Sequence, residues 1–295
     1  MNKIILKPGK DRSVFRYHPW IFSGAIARAD GHPQEGELVK VYSSDNRYLA
    51  TGHCQIGSIA VRILTFTDEP INYSFWKKRI EKAYQKREAI GLTPTPDNNV
   101  FRLVHGEGDN LPGLVIDYYA GVAVIQFHSV GMFLEKNNIV KALSEVLGSQ
   151  LTAIYDKSEG TLPYKAAIEP KNGYLYGKAE NFIALENGLK FNVDWLEGQK
   201  TGFFIDQREN RKLLEKYAYR KQVLNMFCYT GGFSFYAMRG GAESVHSVDV
   251  SARAIELTNQ NVELNFPGDT RHKAFAEEAF RFLEDSYNKY DLIIL

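Results

Sequence analysis

The sequence predicts an α/β chain whose C-terminal third is a doubly wound parallel sheet, preceded by a small β-rich module and a central α+β domain. Three observations carry this. From about Gly198 onward, strands and helices alternate, the rhythm of a parallel sheet with helices on both faces. Within that stretch a glycine turn, Tyr229-Thr230-Gly231-Gly232, joins an apolar strand to a helix, and an acid, Asp249, closes the next strand eighteen residues past Gly231. Before residue 70, short alternating strands are split by breakers, with little helix.

Each element follows from local signals. In residues 1–72, the segments 39–42 and 59–64 alternate apolar and polar residues, and Asp30-Gly31, Gly36 and Asp45-Asn46 separate them, as in a small β-barrel-like module. Residues 73–195 are read as the central domain. A helix is expected over 74–90, burying Phe75, Ile80, Ala83 and Tyr84. A hairpin joins 114–119 to 122–127, a helix covers 132–147, and Asn187-Gly188 marks a second hairpin between 183–185 and 189–193. Over 196–295 a helix runs from Asp206 to residue 217, capped by Asp206 with Glu209 as its capping-box partner. Strands follow at 223–227, 244–248 and 272–275, with helices at 233–239, 251–264 and 279–287 between and after them. A last apolar strand ends at Leu295, and the expected spatial order is 3-2-1-4.

Composition narrows the class. Hydrophobic content of 44% and charged content of 24% are those of a soluble globular chain. A net charge of +1 excludes a global basic field, leaving only local patches for nucleic acid. Two cysteines, Cys54 and Cys228, make neither a disulfide framework nor a metal site. With no signal-peptide-like start they point to the cytoplasm. No run approaches the roughly 20 apolar residues that span a bilayer, so no membrane partner is expected.

The glycine turn suggests a nucleotide-type cofactor. A dinucleotide needs a third glycine so that its pyrophosphate can reach the helix N-terminus, and that glycine is missing. S-adenosylmethionine (SAM), which has no phosphate, fits better. Asp249, followed by Val250 and Ser251, would accept from the ribose hydroxyls. Backbone groups of Phe227, Tyr229, Thr230 and Gly231 would hold the methionine end. The turn at Glu278 and Ala279 would meet the adenine, with Asp206 and Gln207 nearby. The alternative is an ordinary glycine turn, with Asp249 serving only as a helix cap.

These residues also resemble a known family. Gly198-Gln199-Lys200-Thr201-Gly202-Phe203-Phe204-Ile205-Asp206-Gln207-Arg208-Glu209-Asn210-Arg211 is similar to the signature preceding the core of SAM-dependent large-subunit ribosomal RNA methyltransferases, in particular the cytosine-5 group with an N-terminal PUA domain. Phe227-Cys228-Tyr229-Thr230-Gly231-Gly232-Phe233-Ser234 resembles its first SAM motif, and His18-Pro19-Trp20-Ile21-Phe22-Ser23-Gly24 its PUA entry segment. Arg102-Leu103-Val104-His105-Gly106-Glu107-Gly108-Asp109-Asn110-Leu111-Pro112-Gly113-Leu114 resembles its central domain. The resemblance implies a Rossmann-like SAM methyltransferase domain after a PUA-like domain, acting on 23S ribosomal RNA. Where the family often has an acid at the start of the first SAM motif, this chain has Asn225, which can still bond the methionine end.

Methylation at cytosine C5 needs a thiolate nucleophile and a base. Cys54 and Cys228 read as inert buried thiols, so no catalytic residue is assigned. The family's Asp-Pro-Pro motif and later cysteine would follow Leu295. The chain is therefore expected to be a fragment truncated at its fourth strand, inactive alone, and prone to form a homodimer or aggregate along its last strand. An N2-guanine methyltransferase of the same fold and a non-catalytic RNA-binding remnant are the alternatives. Phosphate contacts are expected from Arg12, Arg16, Lys77, Lys78, Lys82, Lys200 and Arg211. Trp20 and Phe22 read as core rather than base-stacking residues, and His53 as a satisfied barrel residue.

Overall fold

The structure is a computed structural model and describes residues 2–163, 168–180, 182–284, 286 and 289–295. Two compact units emerge: Met1–Thr93 with Phe101–Glu180, and Pro94–Val100 with Asn181–Leu295.

The first unit carries two sheets. β1 (Asn2–Leu6), β2 (Trp20–Phe22), β3 (Ile26–Asp30), β4 (Leu38–Tyr42), β5 (Tyr48–Cys54) and β6 (Ile59–Thr65) assemble in the order β2-β6-β5-β4-β1-β3. All these pairs are antiparallel except β1 with β4. Leu6, Val39, Val41, Ala50 and Val61 fill its core, with Val14 from the short helix α1 (Arg12–Phe15). This is the expected β-rich module.

The second sheet runs β11 (Gly173–Gly177), β10 (Ala153–Asp156), β9 (Val122–Phe127), β8 (Leu114–Tyr119), β7 (Val100–His105). The expected β8–β9 hairpin forms, closing at Ala120-Gly121. Helix α2 (Tyr73–Ala89) begins where the Asn72 side chain accepts the Phe75 amide. It buries Phe75, Trp76, Ile80 and Ala83, while Tyr84 is only partly covered. The helix expected over 132–147 is two helices, α3 (Val130–Leu134) and α4 (Lys136–Leu147), parted at Glu135. Packing explains the break. Gly131 lies so close to β5 that an added Cβ would fall 2.2 Å from the His53 ring, whereas α4 packs on α2. His53 is buried and stacks on Trp76 at 6.1 Å. Burial lowers its pKa to about 4, so it is neutral. It is a core residue as expected but not a satisfied one: its Nδ1 has no hydrogen-bond partner among the described residues.

In the second unit, β12 (Ile183–Glu186) and β13 (Leu189–Asn192) form the predicted hairpin, with Asn187 at φ +49° and Gly188 at +77°. Its hydrogen bonds explain its place in this unit. The Asn187 amide group donates to the Tyr236 hydroxyl (2.9 Å), and the Asn192 backbone N–H to Asn261 (2.7 Å). Asn98 and Asn99 accept from the Asn187 and Leu185 backbones.

Helix α5 (Arg208–Tyr217) leads to β14 (Gln222–Met226), α6 (Gly232–Arg239), β15 (Ser244–Asp249), α7 (Ala252–Asn265), β16 (His272–Ala276), α8 (Ala279–Glu284) and β17 (Leu292–Ile294). The parallel sheet has the order β16-β15-β14-β17, which is the expected 3-2-1-4. Asp285 and Tyr287, placed by the sequence in the last helix, lie outside the described residues. The expected cap at Asp206 is not formed. Asp206 sits in a 3-10 turn, Ile205–Gln207, and α5 starts after Gln207 without a side-chain cap.

Candidate cofactor site

The turn after β14 is the most strained backbone near the ends of the parallel strands. Phe227, Tyr229 and Gly231 have φ of +51°, +49° and +80°. Non-glycine residues in that region cost about 1–3 kcal/mol each and persist only where surroundings over-determine them. Here they do. The Cys228 amide donates to Val248 O (3.0 Å) and the Gly231 amide to Cys228 O (2.8 Å). Thr258 Oγ1 and Asn261 Nδ2 donate to the carbonyls of Tyr229 and Thr230. Gly231 is obligatory: besides its φ, a Cβ would lie 2.6 Å from Thr258 Cγ2.

Asp249 closes this arrangement. Its Oδ2 accepts the Tyr229 amide and its Oδ1 the Ser251 amide, each at 2.9 Å. A carboxylate has about four acceptor sites, so acceptor capacity remains on both oxygens. The helix cap itself is Ser251, whose Oγ accepts the Ala254 amide. Asp249 thus serves the turn and is not merely a cap. The Glu277 amide donates to Asp249 O, bringing the start of α8 alongside. Val250 is 76% exposed and Phe280 75%, with Phe227 at 64%. These apolar side chains lie after the carboxyl ends of parallel strands, the end at which open α/β sheets bind their ligands. Phe280, an exposed aromatic in the first turn of α8 after the third strand, was not singled out from the sequence. The Glu278 carboxylate is turned onto the Arg281 amide at 3.0 Å, beside Ala279.

The segment 198–207 meets the turn through Tyr229, whose hydroxyl accepts the Gln199 amide (2.9 Å) and donates to Gly202 O (3.2 Å). Phe204 packs edge-on against the same ring at 5.3 Å. Asp206 is exposed and accepts from Gln207 Nε2 at 3.0 Å. Arg211 overturns its expected role. At 2% exposure no phosphate reaches it. Its guanidinium donates twice to Glu186 (2.7 and 2.8 Å) and to Phe204 O (3.0 Å). Glu186 also receives Arg208 and the Tyr236 hydroxyl. Asn225 is likewise buried, donating to Ser234 in a chain that continues to Ser247 and His272. It braces the turn from within and is not presented to a ligand.

Both thiols are poor nucleophiles. Burial pushes Cys228 up to about 12, and burial with Glu35 and Glu37 raises Cys54, which is only half-buried. Among the proposed phosphate contacts, Arg12, Arg16, Lys78, Lys82 and Lys200 are exposed. Lys77 pairs at the surface with Glu145 at 2.9 Å, and Lys86 and Arg87 on the same helix pair with Asp109. Phe22 is 48% exposed, a correction to its reading as core, while Trp20 is half-buried and donates to Glu107 at 2.8 Å. Among the described residues no cluster of His, Cys, Asp or Glu is placed to hold a metal, and no helix is long and apolar enough to cross a membrane.

Comparison with known proteins agrees with this geometry. Residues 4–66 match the PUA-like domain family and residues 101–295 the S-adenosylmethionine-dependent methyltransferase family. The chain is 37% identical over 303 residues to Ribosomal RNA large subunit methyltransferase I of Aeromonas salmonicida, covering 99% of this chain and 74% of the relative. For the protein of the same name from Vibrio vulnificus the values are 38%, 99% and 75%. Among solved structures, SMU.776, assigned as a methyltransferase and crystallised with SAH, superposes with a TM-score of 0.85 at 25% identity over 100% of this chain and 76% of its own. These relatives lend no support to the expectation that the chain is inactive.

Proposed function

Because this chain belongs to the S-adenosylmethionine-dependent methyltransferases, in the family of Ribosomal RNA large subunit methyltransferase I, we propose that it methylates 23S ribosomal RNA at C5 of a cytosine. The observation that supports the SAM site is the strained turn at 227–231, with the Tyr229 amide fixed on the Asp249 carboxylate, while the cytosine C5 target rests on the resemblance of residues 198–211 and 227–234 to the cytosine-5 group. SAM is the cofactor and supplies the methyl group. The residues present fit it: Asp249 retains acceptor capacity for ribose hydroxyls, Val250 and Phe280 offer apolar surface to an adenine, and the turn offers backbone groups to the amino-acid end.

The organisation we propose is an RNA-binding domain at 1–72, a central domain at 73–195 and the SAM domain at 196–295, acting in the cytoplasm. Arg12, Arg16, Lys78, Lys82 and Lys200 meet phosphates, and the exposed Phe22 ring stacks on an unpaired base. A homodimer completes the proposal. Sedimentation equilibrium at micromolar concentration shows the dimer, and a monomer throughout rejects it.

The second reading is methylation of the exocyclic amine of guanine, which needs no thiolate. Incubation with methyl-labelled SAM and large-subunit RNA, followed by nucleoside chromatography, separates the two. 5-Methylcytidine supports the cytosine reading and N2-methylguanosine the other. SAM binding with no transfer to RNA rejects both.

A further inference from the structure

The Tyr229 side chain lies in the cofactor turn but makes its bonds away from it. Its hydroxyl accepts the Gln199 amide and donates to Gly202 O, filling the 198–202 turn. That turn is moulded to the phenol. A Cβ at Gly198 would lie 2.8 Å from the Tyr229 hydroxyl and 2.2 Å from Asp194 O. Gly202, at φ +116°, has the Asp194 carbonyl within 2.9 Å of its missing Cβ. The backbone of Tyr229 points the other way: its N–H binds Asp249 and its carbonyl receives Thr258. One residue, held at φ +49°, therefore ties three segments together: the 198–207 loop, the glycine turn and the carboxylate at the end of β15.

We propose that Tyr229 is a positioning residue whose hydroxyl pins the 198–207 loop onto the cofactor turn, so that Asp206 and Gln207 are held beside SAM. The inference rests on the SAM reading for its consequence but not for the pin itself. Burial raises the phenol pKa, so the group stays protonated and keeps both its donor and acceptor roles. The Phe204 edge contact extends the same hold toward Asp206.

Tyr229→Phe keeps the ring and removes both bonds. In the cofactor-free full-length protein, hydrogen exchange is expected to accelerate about tenfold at the Gln199 amide and its loop neighbours, while the amides of β14 and β15 are unchanged. SAM Kd is expected to rise about tenfold, with the melting temperature held within a few degrees. Unchanged loop exchange overturns the pin, whatever happens to SAM. Accelerated exchange with SAM binding within twofold of the parent overturns the positioning role. Failure of the parent protein to bind SAM rejects the cofactor reading instead, and the exchange result still decides the pin.

Discussion

Asp249→Ala weakens SAM binding by about a hundredfold, while Asp249→Asn loses roughly a third to a half of that free energy. Two hydrogen bonds to a charged acceptor contribute about 1.5–3 kcal/mol each, and about 1.4 kcal/mol is tenfold in Kd. The alanine variant also strips the Tyr229 amide of its acceptor, leaving the turn to relax from its left-handed conformations. Asparagine keeps one carbonyl for that amide and loses the charge, so the gap between the parent and the asparagine variant isolates the charge of the carboxylate. Asp249 is only partly buried, so neither change should unfold the protein. Equal affinity in all three proteins would place SAM elsewhere.

Arg211→Ala is expected to destabilise the second unit by about 3–5 kcal/mol, the cost of leaving a buried carboxylate without its bidentate partner. Glu186 is fully buried, and after the change it keeps, among the described residues, Arg208 and the Tyr236 hydroxyl. The paired change Glu186→Leu with Arg211→Met should recover most of the loss, because a well-packed apolar pair avoids the desolvation cost. Urea midpoints of Glu186→Leu, Arg211→Met and the pair, set against the parent protein, form the double-mutant cycle. A loss under about 1 kcal/mol for Arg211→Ala would mean that water reaches the pair, against its 2% exposure. The pair also sets the site. Arg211 donates to Phe204 O, and its Cδ lies 3.2 Å from the position a Cβ would take on Gly232, so the loop and the start of α6 rest on one guanidinium.

Local signals made much of this legible. Asn187-Gly188 specified its hairpin because only a few residue types accept positive φ at both turn positions. The βα alternation specified the order of the parallel sheet, and the spacing from Gly231 to Asp249 placed turn and carboxylate together. What was missed is non-local. Arg211 reads as a surface cation because its partner, Glu186, lies 25 residues upstream on another element. Asp206 has the chemistry of a cap, but the 3-10 turn moves the helix start past it. The split at Glu135 comes from the docking of Gly131 on His53, which no helical period encodes. Phe22 looks apolar and therefore buried, yet a three-residue edge strand of a small sheet leaves its ring outside.

The central claim is that the turn at 227–231 and Asp249 form a SAM site. Calorimetric titration of SAM into the protein, run in parallel with Asp249→Ala, tests it most directly. Saturable binding near one equivalent, lost or greatly weakened in the variant, is the result this account predicts. A parent protein that takes up no SAM, or a variant that binds it equally well, would contradict it.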